Sequence, residues 1–175
     1  MKSYNHLYEK FISEENIRIA IINGSKGKRS RKKMKRALKN MDVYILKVRM
    51  LAENYKSPRH HPVVIKDGHR KAREIIIPTM YELFIQHMLI NVLKPILSKS
   101  FYYHSYGSIP KKGRYKAKSA LEKQVQNGYR YCLQMDIRKF YENISHEILM
   151  AKLARVIHDE KILDLIGEIL NATDK

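Results

Sequence analysis

The chain holds one cysteine, Cys132, no tryptophan and only 17 acidic residues among its 175. A lone thiol closes no intrachain disulfide and builds no thiolate-rich zinc site, and it suits a reducing compartment. No apolar run approaches the ~20 residues that a membrane span needs. The opening Met1-Lys2-Ser3-Tyr4-Asn5-His6 has no apolar block of the signal-peptide kind. The expectation from these absences is a soluble, cytoplasmic protein without a membrane partner. With acids scarce, 35 lysines and arginines leave a formal net charge of +18. A charge that large points to a polyanion, of which nucleic acid is the commonest. Apolar residues make up 44% of the chain, enough to bury a core, which argues against wholesale disorder.

The charge is unevenly spread. From Asn23 to Arg73 there are 17 basic and 3 acidic residues, whereas the remainder has 18 and 14. The densest run is Lys26, Lys28, Arg29, Arg31, Lys32, Lys33, Lys35, Arg36 and Lys39. Two readings are open, a solvated helix face or a surface that meets a phosphate backbone. Like charges this close repel one another, and bound phosphates would neutralise them while releasing counterions. The nucleic-acid reading is preferred on that ground.

Apolar spacing predicts a mostly helical chain. Leu7, Phe11, Ile17, Ile19, Ile21 and Ile22 predict one or two short helices ended near Asn23-Gly24. A longer helix is expected over 30–55, where Leu38, Met41, Tyr44, Ile45, Val48, Leu51 and Ala52 recur at helical intervals. Residues 63–65 and 74–77 flank Asp67-Gly68 and predict a β-hairpin closed by Pro78. Thr79-Met80-Tyr81-Glu82 is a capping box, and the stripe Tyr81, Phe84, Ile85, Met88, Leu89, Val92, Leu93, Ile96 behind it predicts a core helix. Residues 98–113 read as an ordered loop and 114–127 as a helix ended by Asn127-Gly128. Residues 129–136 alternate as a strand, with Tyr129, Tyr131, Leu133 and Met135 on the core face and Asp136 at the polar end. Ser145 and Asp159 are expected to cap two further helices, reaching about Ile157 and Leu170.

Few residues stand out chemically by themselves. One aspartate at a strand end commonly caps a helix or pairs with a cation, and no second carboxylate lies near Asp136 in sequence. His60, His61 and His69 are poorly spaced for a metal site. Cys132 reads as a small buried residue. Tyr102 and Tyr103 beside His104 either pack or stack on bases.

The run Asp136-Ile137-Arg138-Lys139-Phe140-Tyr141-Glu142-Asn143-Ile144-Ser145-His146 resembles the first catalytic motif of the reverse transcriptase family, D-I-x-x-F-F/Y-x-x-I-x-H. Upstream, Arg73-Glu74-Ile75-Ile76-Ile77-Pro78 resembles the family's R-x-x-x-I-P segment, and Ile85-Gln86 falls where an I-Q or V-Q pair belongs. Leu93-Lys94-Pro95-Ile96, Phe101 and Ser105-Tyr106-Gly107-Ser108-Ile109-Pro110 are similar to further landmarks in the same order. The pattern looks most like bacterial enzymes of the group II intron, retron and diversity-generating types, over about residues 60–170.

That resemblance implies an α+β fold, mostly helical: a basic helical region over 1–56, polymerase fingers with a β-hairpin over 57–128, and the first strand and helices of a palm over 129–175. It implies RNA-templated DNA synthesis, with RNA template, DNA primer and deoxynucleoside triphosphate as partners and Mg²⁺ as cofactor. Asp136 would be a catalytic metal carboxylate, helped by the Ile137 carbonyl. Lys71 and Arg73 would lie over the triphosphate and Tyr141 under the sugar. The basic run, with Tyr106, Lys111, Lys112 and Arg114, would touch nucleic acid. The sequence departs from the family in two ways. Lysine stands at 111, where relatives commonly have glycine, adding either backbone restraint or a phosphate contact. No Y-x-D-D motif follows Asp136, so the chain is expected to be inactive alone. A non-catalytic, basic RNA-binding module of the maturase or accessory kind is the alternative.

Overall fold

The computed structural model describes residues 3–58, 60–65 and 72–172, apart from the side chains of Arg73 and Glu142. These residues form two compact units, one running to Pro95 and resuming at Ser145, the other spanning Ile96–Ile144. The elements in order are α1 (Leu7–Phe11), α2 (Glu14–Ser25), α3 (Lys32–Lys39), α4 (Met41–Glu53), β1 (Val63–Ile65), β2 (Arg73–Ile75), α5 (Met80–Leu97), α6 (Arg114–Gln126), α7 (His146–Ala154) and α8 (Glu160–Asn171). This is an α+β arrangement dominated by helices, with a single two-stranded antiparallel sheet among the described residues.

The core of the first unit follows the helical stripes. Leu7 and Phe11 of α1, Ile17, Ala20 and Ile21 of α2, Tyr44, Ile45 and Val48 of α4, and Phe84, Ile85 and Met88 of α5 are all buried. Burying one such side chain contributes roughly 1.5–3 kcal/mol. A buried asparagine fixes the α1, α2 and α5 arrangement. Asn16 Nδ2 donates to the carbonyls of Phe11 (2.9 Å) and Met88 (3.1 Å), and its Oδ1 accepts from Asn91 Nδ2 (3.0 Å). Gly24 lets α2 approach α5 closely, since a Cβ there would lie 2.9 Å from a Phe84 ring carbon. The two short helices expected here form, and α2 ends at Ser25, one residue past Asn23-Gly24.

Side-chain caps mark four of the eight α-helix starts among the described residues. Ser13, Ser145 and Asp159 accept hydrogen bonds from Asn16, Ile148 and Ile162 backbone N–H groups respectively, as N-caps do. The capping box forms in both directions: Thr79 N–H donates to Glu82 Oε2 (2.8 Å) and Glu82 N–H to Thr79 Oγ1 (3.3 Å). The hairpin pairs Val63 with Ile75, Val64 with Glu74 and Ile65 with Arg73.

Three expectations are overturned. The helix expected over 30–55 is two helices, broken at Asn40 (φ −112°, ψ 49°). Asparagine competes for its own backbone, and the break lets Met34 and Ala37 of α3 be buried independently of the α4 stripe. No strand forms over 129–136, where Tyr131, Leu133 and Met135 are 98%, 80% and 82% exposed. A strand needs a partner edge for its N–H and C=O groups, and the described residues present none there. Cys132, expected to be buried in that strand, is exposed for the same reason.

One long-range tie has no local signal. Tyr4 N–H donates to the Val156 carbonyl (2.9 Å) and His158 N–H to the Tyr4 carbonyl (3.0 Å), forming a parallel bridge between Tyr4 and Ile157. Asp159 reinforces it, accepting from Tyr8 N–H through Oδ2 (2.9 Å) while Oδ1 caps α8.

Candidate nucleic-acid interface

In the first unit the basic run folds into a turn over 26–30 followed by α3. Gly27 makes the turn at φ +69°, a left-handed conformation that glycine tolerates best. Met34 and Ala37 anchor α3 to the core, which forces its cations outward. Lys26, Arg29, Arg31, Lys32, Lys33, Lys35, Arg36 and Lys39 are exposed and Lys28 is half-buried. Among the described residues none of the nine has an acidic partner. The nearest acid in sequence, Asp42, is engaged by Arg18 at 3.0 Å, which also bonds Glu14. The first turn of α3 has no acidic residue and no side-chain cap, so its free N–H groups add to the positive field. That field reaches α5. The His87 imidazole is held below its usual pKa, chiefly by burial and then by Lys28 and Lys26.

In the second unit, loop 98–113 and α6 interleave aromatic rings with cations. The His104 Nδ1 and Tyr106 hydroxyl lie 2.9 Å apart. Lys112 donates to the Tyr103 carbonyl, and its ammonium lies 5.1 Å and 5.4 Å from the Tyr103 and Tyr106 ring centres. Arg114 lies 5.0 Å from the Tyr115 ring. Tyr103, His104, Tyr106 and Lys112 meet Lys116 and Lys123 of α6 around a cavity of about 500 Å³. Tyr102 and Tyr103, left above as packing or stacking residues, are more than 70% exposed. Lys111 is exposed and takes φ +62°. A lysine here thus holds a left-handed conformation that a glycine would adopt at lower energy.

The remaining expected site residues stand apart. Asp136 is exposed and has no hydrogen-bond or ion-pair partner among the described residues, so it neither caps a helix nor pairs with a cation. Ile137 is 66% and Tyr141 87% exposed. The chain turns at Lys139 (φ +51°), and Asn143 Nδ2 bonds the carbonyls of Arg138 and Lys139. Arg73 sits on β2 opposite Ile65, while Lys71 and His69 lie outside the described residues. Among the described residues no cluster of three or more His, Cys, Asp or Glu could hold a metal. One carboxylate and a neighbouring carbonyl fit a single Mg²⁺ shared with substrate phosphates, but not a two-ion centre. Sequence reasoning missed the partner of His60. Its Nε2 lies 2.7 Å from the buried Glu82 carboxylate, a contact that only the folded chain brings together.

An exposed basic run and an unpartnered aspartate in a D-I-x-x-F-Y run are the features that comparison with known proteins can weigh. The chain belongs to the reverse transcriptase (RNA-dependent DNA polymerase) family, whose pattern matches residues 64–174. It is 23% identical over 145 residues to Protein YkfC of Escherichia coli (strain K12), covering 81% of this chain and 38% of that protein. It is 27% identical over 118 residues to the Group II intron-encoded protein LtrA of Lactococcus lactis subsp. cremoris, covering 67% of this chain and 20% of that protein. The resemblance to bacterial reverse transcriptases of the group II intron type is thereby borne out. The chain spans well under half the length of these relatives. No helix among the described residues is long and apolar enough to cross a membrane.

Proposed function

We propose that this chain supplies the nucleic-acid grip, the triphosphate contacts and one metal carboxylate of an RNA-templated DNA polymerase, and that it does not polymerise alone. The observation that carries this reading is the unpartnered Asp136 within a family match that spans most of the chain. A carboxylate with no cation or N–H to satisfy is available to a hard metal ion. A Mg²⁺ bound there would share substrate phosphate oxygens, and two-metal transfer would need a further carboxylate that the described residues do not bring to Asp136. Asp136 and the Ile137 carbonyl would hold that ion. Lys71 and Arg73, two apart on the hairpin, would meet the triphosphate oxygens, where arginine chelates well. The exposed Tyr141 ring would lie under the sugar and disfavour a 2′-hydroxyl. The nine cations of residues 26–39 would hold RNA template or primer duplex by its phosphates.

The unpaired cations also favour a second reading, a basic RNA-binding module without catalysis. Both readings predict the same binding, which a titration tests, whereas loss of DNA synthesis in Asp136→Ala of a complete polymerase would separate them. The chain should bind RNA with an affinity that falls steeply with salt, and Asp136→Ala should leave that binding unchanged. Lost binding in Asp136→Ala would place the aspartate in the RNA contact surface and contradict its assignment to metal.

A further inference from the structure

The hairpin has little to rest on. Its pairing covers three residues on each strand, and Val63, Val64, Ile65 and Ile75 remain exposed. A two-stranded hairpin of this size is marginal in water by itself. What holds it lies at its base. Glu82, in the first turn of α5, is 4% exposed. Its Oε2 accepts the Thr79 backbone N–H at 2.8 Å and its Oε1 meets His60 Nε2 at 2.7 Å. His60 precedes β1 and Thr79 follows β2, so the two ends of the hairpin converge on one carboxylate. The Tyr55 hydroxyl, just beyond α4, lies 3.5 Å from the same Oε1.

We propose that Glu82 is a positioning residue: with His60 it sets the direction in which the β1–β2 hairpin, and Arg73 on it, leaves the helical body. The 2.7 Å separation of His60 Nε2 and Glu82 Oε1 is that of a hydrogen bond. A buried carboxylate is tolerated only when paired and hydrogen-bonded, and here its two oxygens divide between the two hairpin roots. The consequence for ligand binding rests on the proposed role of Arg73 over a triphosphate, whereas the anchor itself does not.

The test combines amide hydrogen exchange with binding of inorganic triphosphate. His60→Leu removes the donor. His60→Gln keeps an N–H donor near the Nε2 position. The double variant His60→Leu/Glu82→Leu removes the whole pair without stranding a charge, which keeps the body foldable. In His60→Leu, or in the double variant should the single one unfold, amides of 63–65 and 73–75 should exchange at least about tenfold faster while α2 and α5 keep their rates. Triphosphate should bind several-fold more weakly, and His60→Gln should restore both properties. Unchanged hairpin exchange in His60→Leu and in the double variant would overturn the proposal. So would loss of α2 and α5 protection in the double variant, because the pair would then hold the body and not the hairpin. Faster hairpin exchange with triphosphate affinity unmoved, in these variants and in Arg73→Ala, would uphold the anchor and remove the triphosphate role.

Discussion

The two cationic regions are built differently. Residues 26–39, a turn, the N-cap Arg31 and α3, carry nine cations on a buried core, with no aromatic residue between Ala20 and Val43. Loop 98–113 and α6 carry cations against Tyr103, Tyr106 and Tyr115, and none of the residues of α6 is buried. Cations without rings suit phosphates alone, which carry no sequence information. Rings beside cations suit unpaired bases, whose faces stack whatever the base. Under the proposed nucleic-acid reading, the first region would grip a phosphate backbone and the second would meet unpaired bases.

The largest effect should come from the first region. Replacing Lys32, Lys33, Lys35 and Arg36 with alanine should reduce the slope of log affinity against log salt by about three and weaken RNA binding about a hundredfold at low salt. Fluorescence titrations at several salt concentrations read both, and the melting temperature should hold because all four side chains are exposed. An equal loss of slope from the loop would erase the contrast. Tyr103→Ala should weaken single-stranded RNA roughly tenfold, with duplex affinity and salt slope preserved, as stacking worth ~1–3 kcal/mol per base implies.

Packing supplies a smaller, complementary prediction. Gly24→Ala forces a methyl against Phe84 and should destabilise the first unit by about 1–3 kcal/mol in a denaturant melt, leaving the aromatic loop untouched. The smallest effect concerns pH. Burial and the neighbouring Lys28 and Lys26 hold the His87 pKa below its unfolded value of 6.5. Its contribution is therefore present above that pH and lost as pH falls toward the folded value, because the unfolded state takes up the proton first. Denaturant melts between pH 7.5 and 5 should show this loss, reduced in His87→Gln. Polyanions bound at Lys26 and Lys28 should raise the His87 pKa, which imidazole proton shifts would reveal.

Much of the fold was legible because its signals are local. The Thr79–Glu82 capping box, the Phe84-Ile85-Met88 stripe, the Ser145 and Asp159 caps and the 63–75 hairpin each lie within a few residues of sequence. The break at Asn40 was hidden because apolar spacing continues across it. The strand at 129–136 was misread because alternation states which face would be buried, whereas pairing needs an edge elsewhere. The Tyr4–Ile157 bridge and the His60–Glu82 contact join residues that only folding brings together. At the candidate site, the basic run and Asp136 were visible as residue types in a motif. The left-handed Lys111 backbone and the lysine lodged between two tyrosine rings were not, because both depend on how the loop closes.

The central claim is that Asp136 belongs to a polymerase and not only to an RNA grip. Its most direct test joins residues 1–171 to the remainder of the Group II intron-encoded relative and measures primer extension on an RNA template with Mg²⁺. The account predicts DNA synthesis by the joined chain, its loss in Asp136→Ala, and unchanged RNA affinity in both. Synthesis that survives Asp136→Ala would contradict it.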